Sequence, residues 1–113
     1  MITQNTQPIL TGIAASVGTA EGTVRLVNGV EDNNRFQDGD ILVTRITDPT
    51  MVMMMARASA IVCDIGGITS HPSLVAREMG IPCIVNAQKA TTMLKDGQRV
   101  RVDGMKGEVY AMA

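Results

Sequence analysis

Aromatic side chains are almost missing from this 113-residue chain: Phe36 and Tyr110 are the only two, and there is no tryptophan. Single-stranded nucleic acid is held by stacking its bases on aromatic faces, so a stacking platform is excluded. Neither sign of charge is in excess, the formal net charge being −1. No basic cluster is present of the kind that follows a phosphate backbone, and nucleic acid is not an expected partner. No apolar run approaches the roughly 18 residues that span a bilayer. The opening, residues 1–8, is polar and uncharged and has no basic-then-apolar order of a secretory leader, so no membrane partner is expected either. Cysteine occurs twice, at Cys63 and Cys83, each within an apolar run. Both read as buried, reduced thiols, which implies a cytoplasmic protein; a disulfide between them is the alternative. No glycine-rich loop ends in Lys-Ser/Thr, and no carboxylate cluster resembles a two-metal site. The chain has no visible means of activating a nucleotide or phosphoenolpyruvate alone.

What is present suits one small domain. Aliphatic residues and nine methionines bring the hydrophobic share to 45%, enough for a core at this length. Residues 1–9 read as a polar tether and 10–113 as the folded unit. The expected order begins with strands over 9–16 and 22–30, Val24, Leu26 and Asn28 facing one way and Thr23, Arg25 and Val27 the other. Asp38-Gly39 marks a turn, and a strand follows over 41–46. Asp48 has the place of an N-cap with Pro49 in the first helical position, predicting a helix over 51–58. Short apolar runs at 60–64 and 83–85 suit strands covered on both faces. Between them a helix should start near Ser70 or His71, because Pro72 is tolerated only in a first turn. It should stop at Met79, since Gly80 suits a left-handed cap and Pro82 blocks continuation. One helical turn at 90–94 and a closing hairpin of 98–102 with 107–112 complete the reading. The fold class is α/β, with a mixed sheet and short helices.

His71 is the only histidine, and its setting gives it a chemistry. Imidazole is a competent nucleophile toward phosphorus at neutral pH, and the phosphoramidate formed can pass its phosphoryl group on. A carrier needs an exposed ring, donors for the phosphoryl oxygens and a fixed tautomer. A helix start supplies free N–H groups and a favourable dipole for an anion. Thr69 and Ser70 add hydroxyls beside the ring, and Gly66 and Gly67 let backbone approach a bulky charged group. Each feature alone has a plainer meaning: a loop, a cap, a helix stop. Their order around the one histidine points to phosphoryl transfer, which is mostly positioning and charge stabilisation.

The stretch Gly66-Gly67-Ile68-Thr69-Ser70-His71, followed by Ala76-Arg77-Glu78-Met79-Gly80-Ile81-Pro82, resembles the signature of the phosphohistidine, or mobile swivelling, domain of phosphoenolpyruvate-utilising enzymes. That family includes pyruvate phosphate dikinase, phosphoenolpyruvate synthase, enzyme I of the sugar phosphotransferase system, and antibiotic and aryl phosphotransferases. Asp38-Gly39-Asp40-Ile41-Leu42-Val43, the Thr47-Asp48-Pro49 turn and the ending from Asp96-Gly97 to Gly107-Glu108-Val109 match its framework, so the likeness runs from about Gly12 onward. It implies a swivelling β/β/α fold and a phosphotransferase component, inactive without its partners. His71 would be the catalytic phosphoryl acceptor and donor, supported by Gly66, Gly67, Thr69 and Ser70. Thr69 falls where some dikinases carry a regulatory phosphothreonine. No metal or cofactor is expected on this chain. Mg and ATP or phosphoenolpyruvate belong to the partners, an ATP-grasp nucleotide-binding unit, a phosphoenolpyruvate-binding barrel, or both, with a small acceptor such as pyruvate. Pro72 and Ser73 depart from the family's usual small residues, and Asn86 stands where many members have glycine. The start at Met1 favours a free-standing subunit, as in phenylphosphate-synthase-like systems, over a domain of a longer chain.

Other readings compete. A non-catalytic regulatory or interaction module would bind partners without needing His71. A hydrolase using Ser70 or Ser73 with His71 would require residues adjacent at a helix start to face one another, with no orienting acid in view. Met51, Met53, Met54 and Met55 read as core and docking surface, Asp64 and Asp103 as turn residues, and Arg77 and Glu78 as a solvated helix face or a phosphate contact.

Overall fold

A computed structural model describes residues 7–112. Eight strands form one nearly closed sheet: β1 (Leu10–Thr11), β2 (Ile13–Ser16), β3 (Thr19–Val27), β4 (Ile41–Thr44), β5 (Ala60–Cys63), β6 (Cys83–Val85), β7 (Arg99–Asp103) and β8 (Glu108–Ala111). Their lateral order is β1-β8-β7-β3-β4-β5-β6-β2. The run β3-β4-β5-β6 is parallel, while β7 and β8 form the antiparallel hairpin expected at the end. Three short helices, α1 (Val52–Met55), α2 (His71–Met79) and α3 (Ala90–Met93), join the strands.

Two long segments hold the two halves together. β3 pairs with β7 through residues 19–23 and with β4 through 24–27. The segment 10–16 does the same on the far side, β1 pairing with β8 and β2 with β6. The single strand expected over 9–16 is therefore two, because the partner changes at Gly12. A Cβ there would lie 2.6 Å from the Val85 carbonyl, so only glycine lets the crossing backbones approach. Of the proposed tether, residues 1–6 lie outside the described residues; Ile9 donates its N–H to the Val109 carbonyl at 2.8 Å.

The alternating side chains of the parallel strands fill two cores. Ile41, Val43, Ala60, Val62 and Ile84 face Leu10, Val100, Val102 and Val109 inside the curved sheet. Leu42, Ile61, Cys63, Cys83 and Val85 face outward onto Met51, Met54, Met55, Phe36 and Ala76. β5 and β6 are thus apolar on both faces, as their composition predicts. α1 is too short to hold itself. It stays because Met54 and Met55 are buried, each side chain worth about 1.5–3 kcal/mol of transfer from water. The helix expected over 51–58 is shorter than foreseen, a 3-10 turn Pro49–Met51 followed by α1. β3 also differs: it starts at Thr19 and ends at Val27, where Val27 joins the outer core rather than solvent. Asn28 lies beyond it, its N–H bound to Asp32 Oδ2 at 2.7 Å.

Candidate functional site

β4, β5 and β6 run parallel, so the loops after them gather at one edge of the sheet, the place where such sheets present their chemistry. The loop after β5 leads into α2. Gly66 has φ +121, and a Cβ on it would meet Ser70 Oγ at 2.8 Å, whereas one on Gly67 would meet nothing within 4 Å. The glycines thus divide their work: Gly66 makes the turn, and Gly67 leaves space open. The Gly67 carbonyl gathers three donors, the Ser70 N–H at 3.0 Å and the hydroxyls of Ser70 and Ser73 at 2.7 Å each. These bonds fix the loop against the first turn of α2. That turn begins at His71 with Pro72 second and Ser70 in extended N-cap conformation. Ser73, small and fully buried, fits under the loop. The helix ends through Gly80 at φ 73, as its sequence predicts.

His71 is half-buried at this corner, and Thr69 is exposed beside it. The ring does not meet a serine. Its Nδ1 lies 2.7 Å from Thr47 Oγ1, and the serine hydroxyls point back at Gly67, so the hydrolase pairing of Ser70 or Ser73 with His71 is not formed. Thr47 comes from the loop after β4, is 4% exposed, and was not among the candidates drawn from sequence. The cue was the Thr-Asp-Pro turn, legible as a helix start but not as a neighbour of residue 71. Asp48, next in the chain, caps the following 3-10 turn: its carboxylate accepts the Thr50 N–H at 2.8 Å and the Thr50 hydroxyl. The two Thr50 bonds, with the positive charge of a protonated His71 adding to them, hold this carboxyl below the usual range.

The remaining candidates fall into structural places. Arg77 donates Nε–H to the Ala15 carbonyl at 2.7 Å, tying the end of α2 to β2; Glu78 is exposed. Asp64 accepts from the Thr91 N–H and hydroxyl, holding α3 to the sheet, and Asp103 accepts the Met105 and Lys106 N–H groups in the hairpin turn. Met51, Met54 and Met55 are core, while Met53 is 78% exposed. Cys63 and Cys83 are free and buried. Burial raises both thiols, Cys83 to about 12 with Arg77 opposing, and Cys63 well above its ordinary value, with the neighbouring Cys83 and Asp64 adding. Asn86, the departure from glycine, has φ 53, a left-handed conformation that asparagine tolerates better than most residues. No helix among the described residues is long and apolar enough to cross a membrane.

Residues 36–107 match the family model for the PEP-utilising enzyme, mobile domain. The chain is 49% identical over 106 residues to the phosphoenolpyruvate synthase of Aeropyrum pernix, 93% of this chain and 13% of that one. It is 40% identical over 103 residues to the rifampicin phosphotransferase of Bacillus cereus, 91% of this chain and 12% of that one. Among solved structures, the solution structure of the enzyme I (nEIt) protein matches with a TM-score of 0.61 and 27% identity, over 71% of this chain and 33% of that one. The chain spans roughly an eighth of the length of the synthase relatives it matches. With residues 36–107 matching that family model and an α/β framework like that of the enzyme I neighbour, the chain belongs to the mobile-domain family of PEP-utilising enzymes.

Proposed function

We propose that this chain is the phosphohistidine carrier of a PEP- or ATP-dependent phosphotransferase, with His71 Nε2 as the nucleophile. The observation that carries the assignment is the 2.7 Å contact of Nδ1 with Thr47 Oγ1. When Nδ1 keeps its proton and donates it to Thr47, the lone pair stands on Nε2. In the charging step the Nε2–P bond forms as the P–O bond to the donor breaks. In discharge the acceptor oxygen bonds phosphorus and the electron pair returns to Nε2. First-turn N–H groups of α2 and the open space at Gly67 suit the phosphoryl oxygens, with Thr69 adding a hydroxyl. Ser70 serves by holding the loop. Exposure also makes Thr69 the candidate for regulatory phosphorylation.

The relatives named phosphoenolpyruvate synthase support pyruvate as the acceptor class. Mg and ATP or phosphoenolpyruvate would be bound by an ATP-grasp unit or a barrel, not by this chain. Free buried thiols suit a cytoplasmic setting. The test is labelling: with the donor components and labelled ATP or phosphoenolpyruvate, wild type takes up acid-labile, base-stable phosphate on Nε2. His71→Ala takes up none. Equal labelling of the variant overturns the proposal and leaves a binding module.

A further inference from the structure

Arg77 is engaged at its Nε alone. That atom donates to the Ala15 carbonyl at 2.7 Å, and among the described residues neither terminal nitrogen has a partner. The register of β2 on β6 shifts between Ala14 and Ser16, so Ala15 has no cross-strand partner and its carbonyl is left to the guanidinium. The bond pins the group without neutralising it. Arg25, Arg35 and Arg57 each meet a carboxylate, whereas the charge of Arg77 is unpaired. With Nε taken, the exposed end of the fork lines a cavity of about 400 Å³ between residues 14–17, Gly80 and the hairpin turn at Gly104 and Met105. Arg77 is the one charged residue of that lining. Asp103, next to the turn, is occupied by the Met105 and Lys106 N–H groups, and Glu78 is exposed outside the lining. The rim is apolar: Val17 and Met105 are 67% and 70% exposed, and only Met53 among the large apolar side chains described is more so. We propose that this cavity binds a small aliphatic carboxylate, its two oxygens on the terminal nitrogens of Arg77 and its chain along Val17 and Met105.

The ligand class follows from the lining. Two N–H groups side by side in one plane match the two oxygens of a carboxylate. A phosphate dianion calls for further cations, and none lines the cavity. Alanine, serine and glycine make most of the wall and leave room for a chain. Gly104 has to stay bare, because a Cβ on it would strike the Ser16 carbonyl. The volume suits a small molecule, whose sites run from about 300 to 1,000 Å³. Each ligand methylene laid against Val17 or Met105 adds up to about fourfold in affinity. The site is separate from the ring: Arg77 is six residues past His71 on α2, about 9 Å along the helix axis. It stands whether or not His71 carries a phosphoryl group.

The probe is sodium hexanoate, titrated into the nitrogen-labelled full chain while amide and arginine Nε–H resonances are followed by NMR. Shifts should saturate with a midpoint of about 1–10 mM, the range for a ligand of about eight non-hydrogen atoms. They should fall on residues 14–17, 77, 80, 104 and 105 and leave 66–71 unmoved. Hexanamide, which lacks the charge, should bind about fivefold more weakly or worse. Acetate, which lacks the chain, should bind about tenfold more weakly or worse. Met105→Glu places an anion on an exposed rim position; it should weaken hexanoate by about fivefold or more at an unchanged melting temperature. Arg77→Gln should weaken it by about tenfold or more. Should that variant melt early for want of the Ala15 bond, Met105→Glu decides alone. Shifts that do not saturate, or that move 66–71 as much as 14–17, overturn the site. So does an equal response to hexanamide, acetate or inorganic phosphate, or a Met105→Glu protein that binds hexanoate as wild type does.

Discussion

Thr47 touches His71 across 24 positions of sequence, and the contact matters because an imidazole has one proton to place when neutral. Replacing Thr47 with valine keeps the shape and removes the oxygen. The ring is then free to put its proton on either nitrogen, and a hydrogen bond worth about 1 kcal/mol or more is lost. Charging of Thr47→Val should be slower by about tenfold, read as the rate of label incorporation, while Thr47→Ser keeps most of the wild-type rate. The cysteines give a second residue-scale outcome. Their thiols ionise in the unfolded chain near pH 9 but stay neutral in the fold. Their contribution is therefore complete below pH 9 and is lost as pH rises toward the folded values. At pH 10 each thiol should cost the native state about 1.4 kcal/mol relative to pH 8. Urea titrations of wild type and of a Cys63→Ala, Cys83→Ala double variant should show the smaller alkaline loss in the variant.

The element that presents the ring was readable because its signals are local. Gly66-Gly67, Pro72, Gly80 and Pro82 mark the start and end of α2 within 17 residues, and each residue acts on its own backbone. The partner side of the site was not readable in this way. Thr47 and Asp48 announce a capped turn, which they make, but the approach of Thr47 to His71 follows from the parallel register of β4 on β5, which no short pattern specifies. α1 was overestimated for a related reason: methionines at helical spacing fill the core whether or not the helix continues past Met55. The turn at Gly66 is testable at this scale. Gly66→Ala forces a side chain into a left-handed backbone and against Ser70 Oγ, and should cost about 1–3 kcal/mol. Because Ser70 must move, labelling of His71 should fall further than stability alone accounts for; Gly67→Ala, with nothing to strike, should leave stability nearly unchanged. Melting temperature and label uptake measured together separate these effects.

Across the whole molecule, the α/β class followed from continuous apolar runs alternating with short helices, and the doubly covered strands were found as expected. The two bridging segments were not foreseen. β3 changes partner without breaking its alternation at that point, so nothing in 19–27 records the exchange, and its polar start at Thr19 has no apolar marker; in 10–16 the exchange falls at Gly12 and the alternation is lost at a register shift between Ala14 and Ser16. Closure nonetheless depends on it. Gly12→Val would drive a side chain into the Val85 carbonyl and the Ile84 methyl, a misfit of about 1–3 kcal/mol. The urea midpoint should fall accordingly, with amide exchange rising first in residues 9–16. The same arrangement limits how copies meet. The outermost strands of the order, β1 and β2, are two and four residues long, too brief to template a neighbour's backbone. The carrier proposed above must meet a donor surface and an acceptor surface in turn. With such short borders it can strike them repeatedly and come away each time, so release costs no more than parting side chains.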